Sequence, residues 1–172
     1  MQNLFSYPLK LEDMSVATQK YNLRATPDEL KYIAEIMQVP AINKFVAEIN
    51  VRLLKKEHLV LVFGNVDADV EQISVISLEK FVHPYHADFE LKYNTKMTHK
   101  DIKDIDFDIN DEILDILNNG QIDLAAISME QLALVLDDFP RQEGEKFVFE
   151  SEFDEETSLA TNPFSVLKKL KK

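Results

Sequence analysis

The chain alternates between two hydrophobic periods, and each switch between them predicts an element. "LFSYPLKL" (4–11) and "QKYNLRA" (19–25) read as short strands. "TPDELKYIAEIMQV" (26–39) changes to a helical period: Leu30, Ile33, Ala34 and Met37 recur at i, i+3, i+4 and i+7. Thr26 is placed to cap this helix, Pro27 to open it, Glu29 to complete a capping box and Pro40 to end it. A period of two follows. Phe45, Ala47, Ile49, Val51 and Leu53 fall on one side, with Lys44, Glu48, Asn50 and Arg52 on the other. After the polar turn "KKEH", residues 59–75 set Val66, Ala68 and Val70 against Asp67, Asp69 and Glu71. "PYHADFELKY" (84–93) sets Tyr85, Ala87, Phe89, Leu91 and Tyr93 against His86, Asp88, Glu90 and Lys92. Alternating strands with short connections predict an antiparallel sheet with one wet face. The expected fold class is α+β: an antiparallel sheet or partly closed barrel packed by two or three helices.

Residues 94–121 form an acidic stretch with a brief alternation at Ile105, Phe107 and Ile109, read as a loop carrying one edge strand and ending in a turn at 118–120. "IDLAAISMEQLALVLDDF" (122–139) is apolar nearly all the way round. On a helical wheel Ile122, Ala125, Met129, Leu132, Ala133 and Leu136 share the arc expected to dock on the sheet, with Ser128, Gln131 and Asp138 roughly opposite. Ile127 and Leu134 then fall among the polar positions. One stripe cannot bury them all, so a second contact surface is expected. Its occupant is either the C-terminal "NPFSVLKKL", capped by Asn162 with Pro163 in the first turn, or a partner seated in a groove. Pro140 is the expected stop. The 172 residues are read as a single domain, 1–172, with the acidic loop at about 94–121 and an acidic segment plus short helix over 140–172.

Charge changes this picture more than composition does. Residues 1–100 carry 13 acids and 12 Lys/Arg, net −1, whereas residues 101–172 carry 18 acids and 7 Lys/Arg, net −11. A protein that neutralises phosphates needs a positive face, so the C-terminal half suits cationic partners instead. Three glycines are too few for a glycine-rich phosphate loop, and the lack of cysteine removes disulfides and thiolate metal sites. The absence of a basic-then-apolar leader and of eighteen consecutive apolar residues predicts no signal peptide and no membrane span, and the lack of cysteine a reducing compartment.

Individual constellations add little chemistry. Asp104, Asp106, Asp108 and Asn110 are spaced like calcium-loop ligands, but Ile109 stands where that loop needs glycine, and Asp115 where it needs a bidentate glutamate. His83 and His86 point to opposite faces of a strand. No nucleophile signature appears, so no catalytic residue, cofactor, metal or small-molecule substrate is assigned. An enzyme built on a carboxylate pair stays as an alternative. Lys10, Lys20, Arg24, Arg52, Lys55 and Lys56, with the lysine tail 168–172, form the footprint of a second alternative, direct RNA binding.

"DLAAISMEQLALVLDDFPR" (123–141) and "NPFSVLKKLK" (162–171) resemble the two C-terminal motifs of the YceD family, the large ribosomal RNA subunit accumulation proteins, in their alphaproteobacterial-type form. "ADVEQISVISLE" (68–79) and "FSYPLKLEDM" (5–14) are similar to its sheet segment and first strand. Many members carry cysteine where this chain has Ser74, so a metal or redox role for those cysteines does not transfer. The resemblance implies a bacterial, cytoplasmic, non-enzymatic factor for accumulation of large-subunit ribosomal RNA in ribosome biogenesis. Combined with the acidity, it implies a protein-binding adaptor for a basic ribosomal protein or rRNA maturation factor. The positions matching the family motifs, taken as binding or structural, are Asp123, Glu130, Gln131, Leu134, Asp137, Phe139, Pro140, Arg141, Asn162, Pro163 and Phe164.

Overall fold

A computed structural model of the chain describes residues 4–96, 115–117 and 119–146. The elements run β1 (Pro8–Lys10), a 3₁₀ turn, β2 (Gln19–Arg24), α1 (Pro27–Met37), β3 (Ala41–Leu54), β4 (Leu59–Ile73), β5 (Lys80–Asn94), β6 (Asp115–Ile116), β7 (Gln121–Asp123) and α2 (Leu124–Val135). Strands β2-β3-β4-β5 form an antiparallel meander, and β6 joins the β5 edge in parallel through Tyr93 and Asn94. β1 and β7 pair separately as an antiparallel ribbon. The fold is α+β, with an open sheet not closed into a barrel.

Alternation in the sequence becomes alternation in burial. Phe45, Ala47, Ile49 and Val51 on β3, Val60, Val62, Val66, Ala68 and Val70 on β4, and Tyr85 and Phe89 on β5 enter one core with both helices and the β1 region. An irregularity between Ile42 and Lys44 adds a residue to β3, so Ile42 and Phe45 both face inward despite their three-residue separation. Gly64 marks a close strand approach: a Cβ there would lie 1.9 Å from the Glu48 carbonyl oxygen.

Helix α1 begins as its sequence dictates. Glu29 N–H donates to Thr26 Oγ1, and the Glu29 carboxylate accepts from Thr26 N–H at 2.7 Å. Its end is set earlier than Pro40. Gln38 adopts a left-handed backbone with φ 56°, and Val39 N–H donates to Ala34 O at 3.1 Å, closing the last turn. Strand β5 starts at Lys80, ahead of the expected Pro84; β6 flanks β5 only at Tyr93 and Asn94, so Pro84 lies on a stretch that tolerates the missing N–H. The alternation at Ile105, Phe107 and Ile109, the calcium-like spacing and "NPFSVLKKL" lie outside the described residues. So does Asn118, though Asn119 and Gly120 do turn with positive φ.

The expected arc of α2 is only partly the buried one: Ala125 and Leu132 are buried and Met129 and Leu136 lean on the core, but the buried face extends beyond it. Leu124, Ala125, Ile127, Ser128 and Leu132 are buried, whereas Ala133 is exposed. The true face is rotated by roughly a quarter turn from the expected arc. Two facts account for it. Ile122 belongs to β7, so it should not have been counted on the wheel. Ser128 folds its hydroxyl onto Leu124 O at 2.7 Å, which lets a polar residue sit in the core without a lost hydrogen bond. The stop also precedes Pro140: Leu136 is already extended, with ψ 137°.

Candidate functional site

The family-motif residues divide into an anchor at the start of α2 and a surface at its end. Asp123 is the anchor. Its Oδ1 accepts from Ala125 N–H at 3.0 Å, Ala126 N–H at 3.3 Å and Tyr7 N–H at 2.8 Å, while Oδ2 accepts from Ser6 Oγ. One carboxylate thus caps the helix and ties it to the segment before β1. Glu130 is exposed and Gln131 half-buried on the helix body. Glu130 also lies near Tyr93, whose hydroxyl pKa is raised by burial first and then by the carboxylates of Asp115 and Glu130.

At the other end, Asp137 and Pro140 are brought together with Asp138 around a groove of about 520 Å³. Ile36, Met37, Gln38, Val39 and Pro40 from the end of α1, Gln72 and Ile73 from the end of β4, and Ala133 and Leu136 from α2 complete it. Val75 N–H donates to Pro140 O at 2.9 Å, holding the segment after α2 against the β4–β5 connection. Beneath it, Tyr85 hydroxyl donates to Gln72 Oε1 at 2.6 Å and lies 3.3 Å from Asp137 Oδ2. Burial raises the Tyr85 pKa, so this phenol stays a proton donor at neutral pH. Leu134 and Phe139 are 73 % and 78 % exposed, and Arg141 is exposed. Asn162, Pro163 and Phe164 lie outside the described residues.

The charged side chains that line the groove, among the described residues, have one sign. Both α1 and α2 end at it, and neither has a basic residue in its last turn. Each helix C-terminus carries about half a negative charge on its free carbonyls. Asp137 and Asp138 add to that, and among the described residues no lysine, arginine or histidine lines the groove. The arrangement suits a cation flanked by apolar surface. Among the described residues no group of three or more His, Asp or Glu is placed to hold a metal ion, and no helix is long and apolar enough to cross a membrane. His83 stacks edge-on against Tyr85, with ring centroids 4.8 Å apart.

Sequence reasoning missed the α1 side of the groove and the Tyr85–Gln72 floor. A signal existed in Ile36 and Ile73, which are out of phase with their elements' buried faces and are 51 % and 44 % exposed.

Comparison with curated proteins finds no match, and comparison with solved structures finds none either. The family model described as "Large ribosomal RNA subunit accumulation protein YceD" matches residues 62–171, from within β4 to the penultimate residue. That span includes the α2 side of the groove, while Ile36–Pro40 fall before it. The chain belongs to the YceD family, the large ribosomal RNA subunit accumulation proteins.

Proposed function

We propose that this protein supports accumulation of large-subunit ribosomal RNA as a non-enzymatic, cytoplasmic adaptor. In this reading the groove at the ends of α1 and α2 receives a cationic segment of a basic ribosomal protein or rRNA maturation factor. The observation that carries it is the convergence of two helix C-termini, Asp137 and Asp138 on a groove of mixed apolar and polar lining that holds no basic residue among the described residues. Leu134 and Phe139 are exposed apolar side chains next in sequence to the lining residues Ala133, Asp138 and Pro140, and a partner with a lysine or arginine on an apolar stripe matches both features.

A photo-crosslinking residue at position 134 or 139 of the full chain tests this in cells. The expected adducts are with a basic ribosomal or maturation protein, lost when Asp137→Lys and Asp138→Lys are added. Adducts with RNA alone, or protein adducts unchanged by the charge reversal, would overturn the reading.

The direct RNA reading has one observation in its favour. Lys20, Arg24, Lys44 and Arg52 share the outward face of β2 and β3.

A further inference from the structure

The helices and the β1–β7 ribbon pack on one face of the meander, and the opposite face is divided by charge. On β2 and β3 its outward positions hold Lys20, Arg24, Lys44 and Arg52 against Glu48, a net +3. On β4 and β5 they hold Asp67, Asp69, Glu71, Asp88 and Glu90 against Lys80 and Lys92, a net −3 with His86 neutral. Val46, Leu61 and Phe63 lie half-buried on the two middle strands, along the boundary.

We propose that this face is a self-complementary docking surface for a second copy of the chain, related by a two-fold axis running along the strands between β3 and β4. Rotation about that axis lays β2 over the partner's β5 and β3 over the partner's β4, and each cross-strand row meets itself. The register puts Lys20 in the same row as Asn50, Phe63 and Glu90, and Lys44 in the same row as Asp69. Stacking therefore sets Lys20 against Glu90 and Lys44 against Asp69, twice each, as an isologous contact requires. The apolar boundary falls on the axis. An axis across the strands would stack like charges instead. Strand rise and spacing give the face on the order of 750 Å², close to the roughly 800 Å² per partner of a standard stable interface. This inference does not depend on the groove, so either can fail alone.

Light scattering and sedimentation on the full chain test it over a range of concentration and salt. A dimer that weakens as salt rises is expected. Arg24→Glu with Lys44→Glu, and separately Asp67→Lys with Asp69→Lys, should each weaken self-association at least about tenfold. Mixing the two folded variants should restore a dimer, because the new glutamate at position 44 of one then meets the new lysine at position 69 of the other, and a face of net −4 meets one of net +4. A wild-type chain that stays monomeric at high concentration and low salt would overturn the proposal. So would a dimer indifferent to both reversals. Monomeric protein whose RNA binding falls on Arg24→Glu with Lys44→Glu would assign the basic half to phosphate instead.

Discussion

The two α-helices among the described residues solve opposite problems. Helix α1 is amphipathic: Ile33 and Ala34 are buried, Leu30, Tyr32 and Met37 lean on the core, and apart from the exposed Ile36 charge covers most of the rest. Helix α2 is apolar nearly all round, yet the sheet takes only one side of it, leaving Leu134 and Val135 in solvent. The difference teaches where to look for function. A stripe that matches its core states only how a helix packs, whereas apolar surface beyond what the core absorbs needs another explanation. Here that surplus precedes, in the same segment, the two aspartates that line the groove.

The largest test of the contrast lies within α2. Leu132 is fully buried and Leu134 is not. Leu132→Ala should cost about 2–5 kcal/mol in denaturant unfolding, while Leu134→Ser should stay within about 0.5 kcal/mol of wild type. Equal losses at both positions would erase the distinction between packed and surplus surface.

Next come the two N-terminal caps. Thr26→Ala removes a capping box and should cost about 1 kcal/mol. Asp123→Ala strips the acceptor from three backbone N–H groups and a serine hydroxyl, two of them beyond the helix, so roughly 2 kcal/mol is expected. Thermal unfolding of the pair would show whether Asp123 anchors the ribbon as well as the helix.

These effects also mark what was legible beforehand. Strand alternation and the α1 cap needed only local rules, and the structure follows them at Thr26, Phe45 and Phe89. The docking face of α2 did not follow, because periodicity carries no direction when almost every position is apolar. The choice was made by tertiary contacts and by Ser128, whose hydroxyl finds its partner one turn back. Ser128→Ala should accordingly change stability by less than about 0.5 kcal/mol; a large loss would mean the hydroxyl has a role beyond its own helix. The groove was half legible. Its α2 rim carried the family motif, but Ile36–Pro40 and Gln72 reach it only through long-range packing that no sequence window contains.

The smallest effect lies away from both helices. His86 Nδ1 is 2.8 Å from Asp67, with Asp88 on its other side, and its pKa is raised chiefly by the Asp67 hydrogen bond. A raised folded-state pKa contributes stability below the ordinary value of 6.5 and loses it as pH rises through the folded value. Because the ring is exposed, the change should show as an NMR titration midpoint above 6.5, shifted down by Asp67→Asn, with little change in melting temperature.

The central claim is that the exposed apolar end of α2 works for the ribosome and not for the fold. Cells lacking the native gene and supplied with the chain carrying Leu134→Ser and Phe139→Ser provide the direct measurement, read as the level of large-subunit ribosomal RNA. A folded variant of wild-type stability that fails to restore that level is the predicted result. Full restoration by the same variant would contradict it.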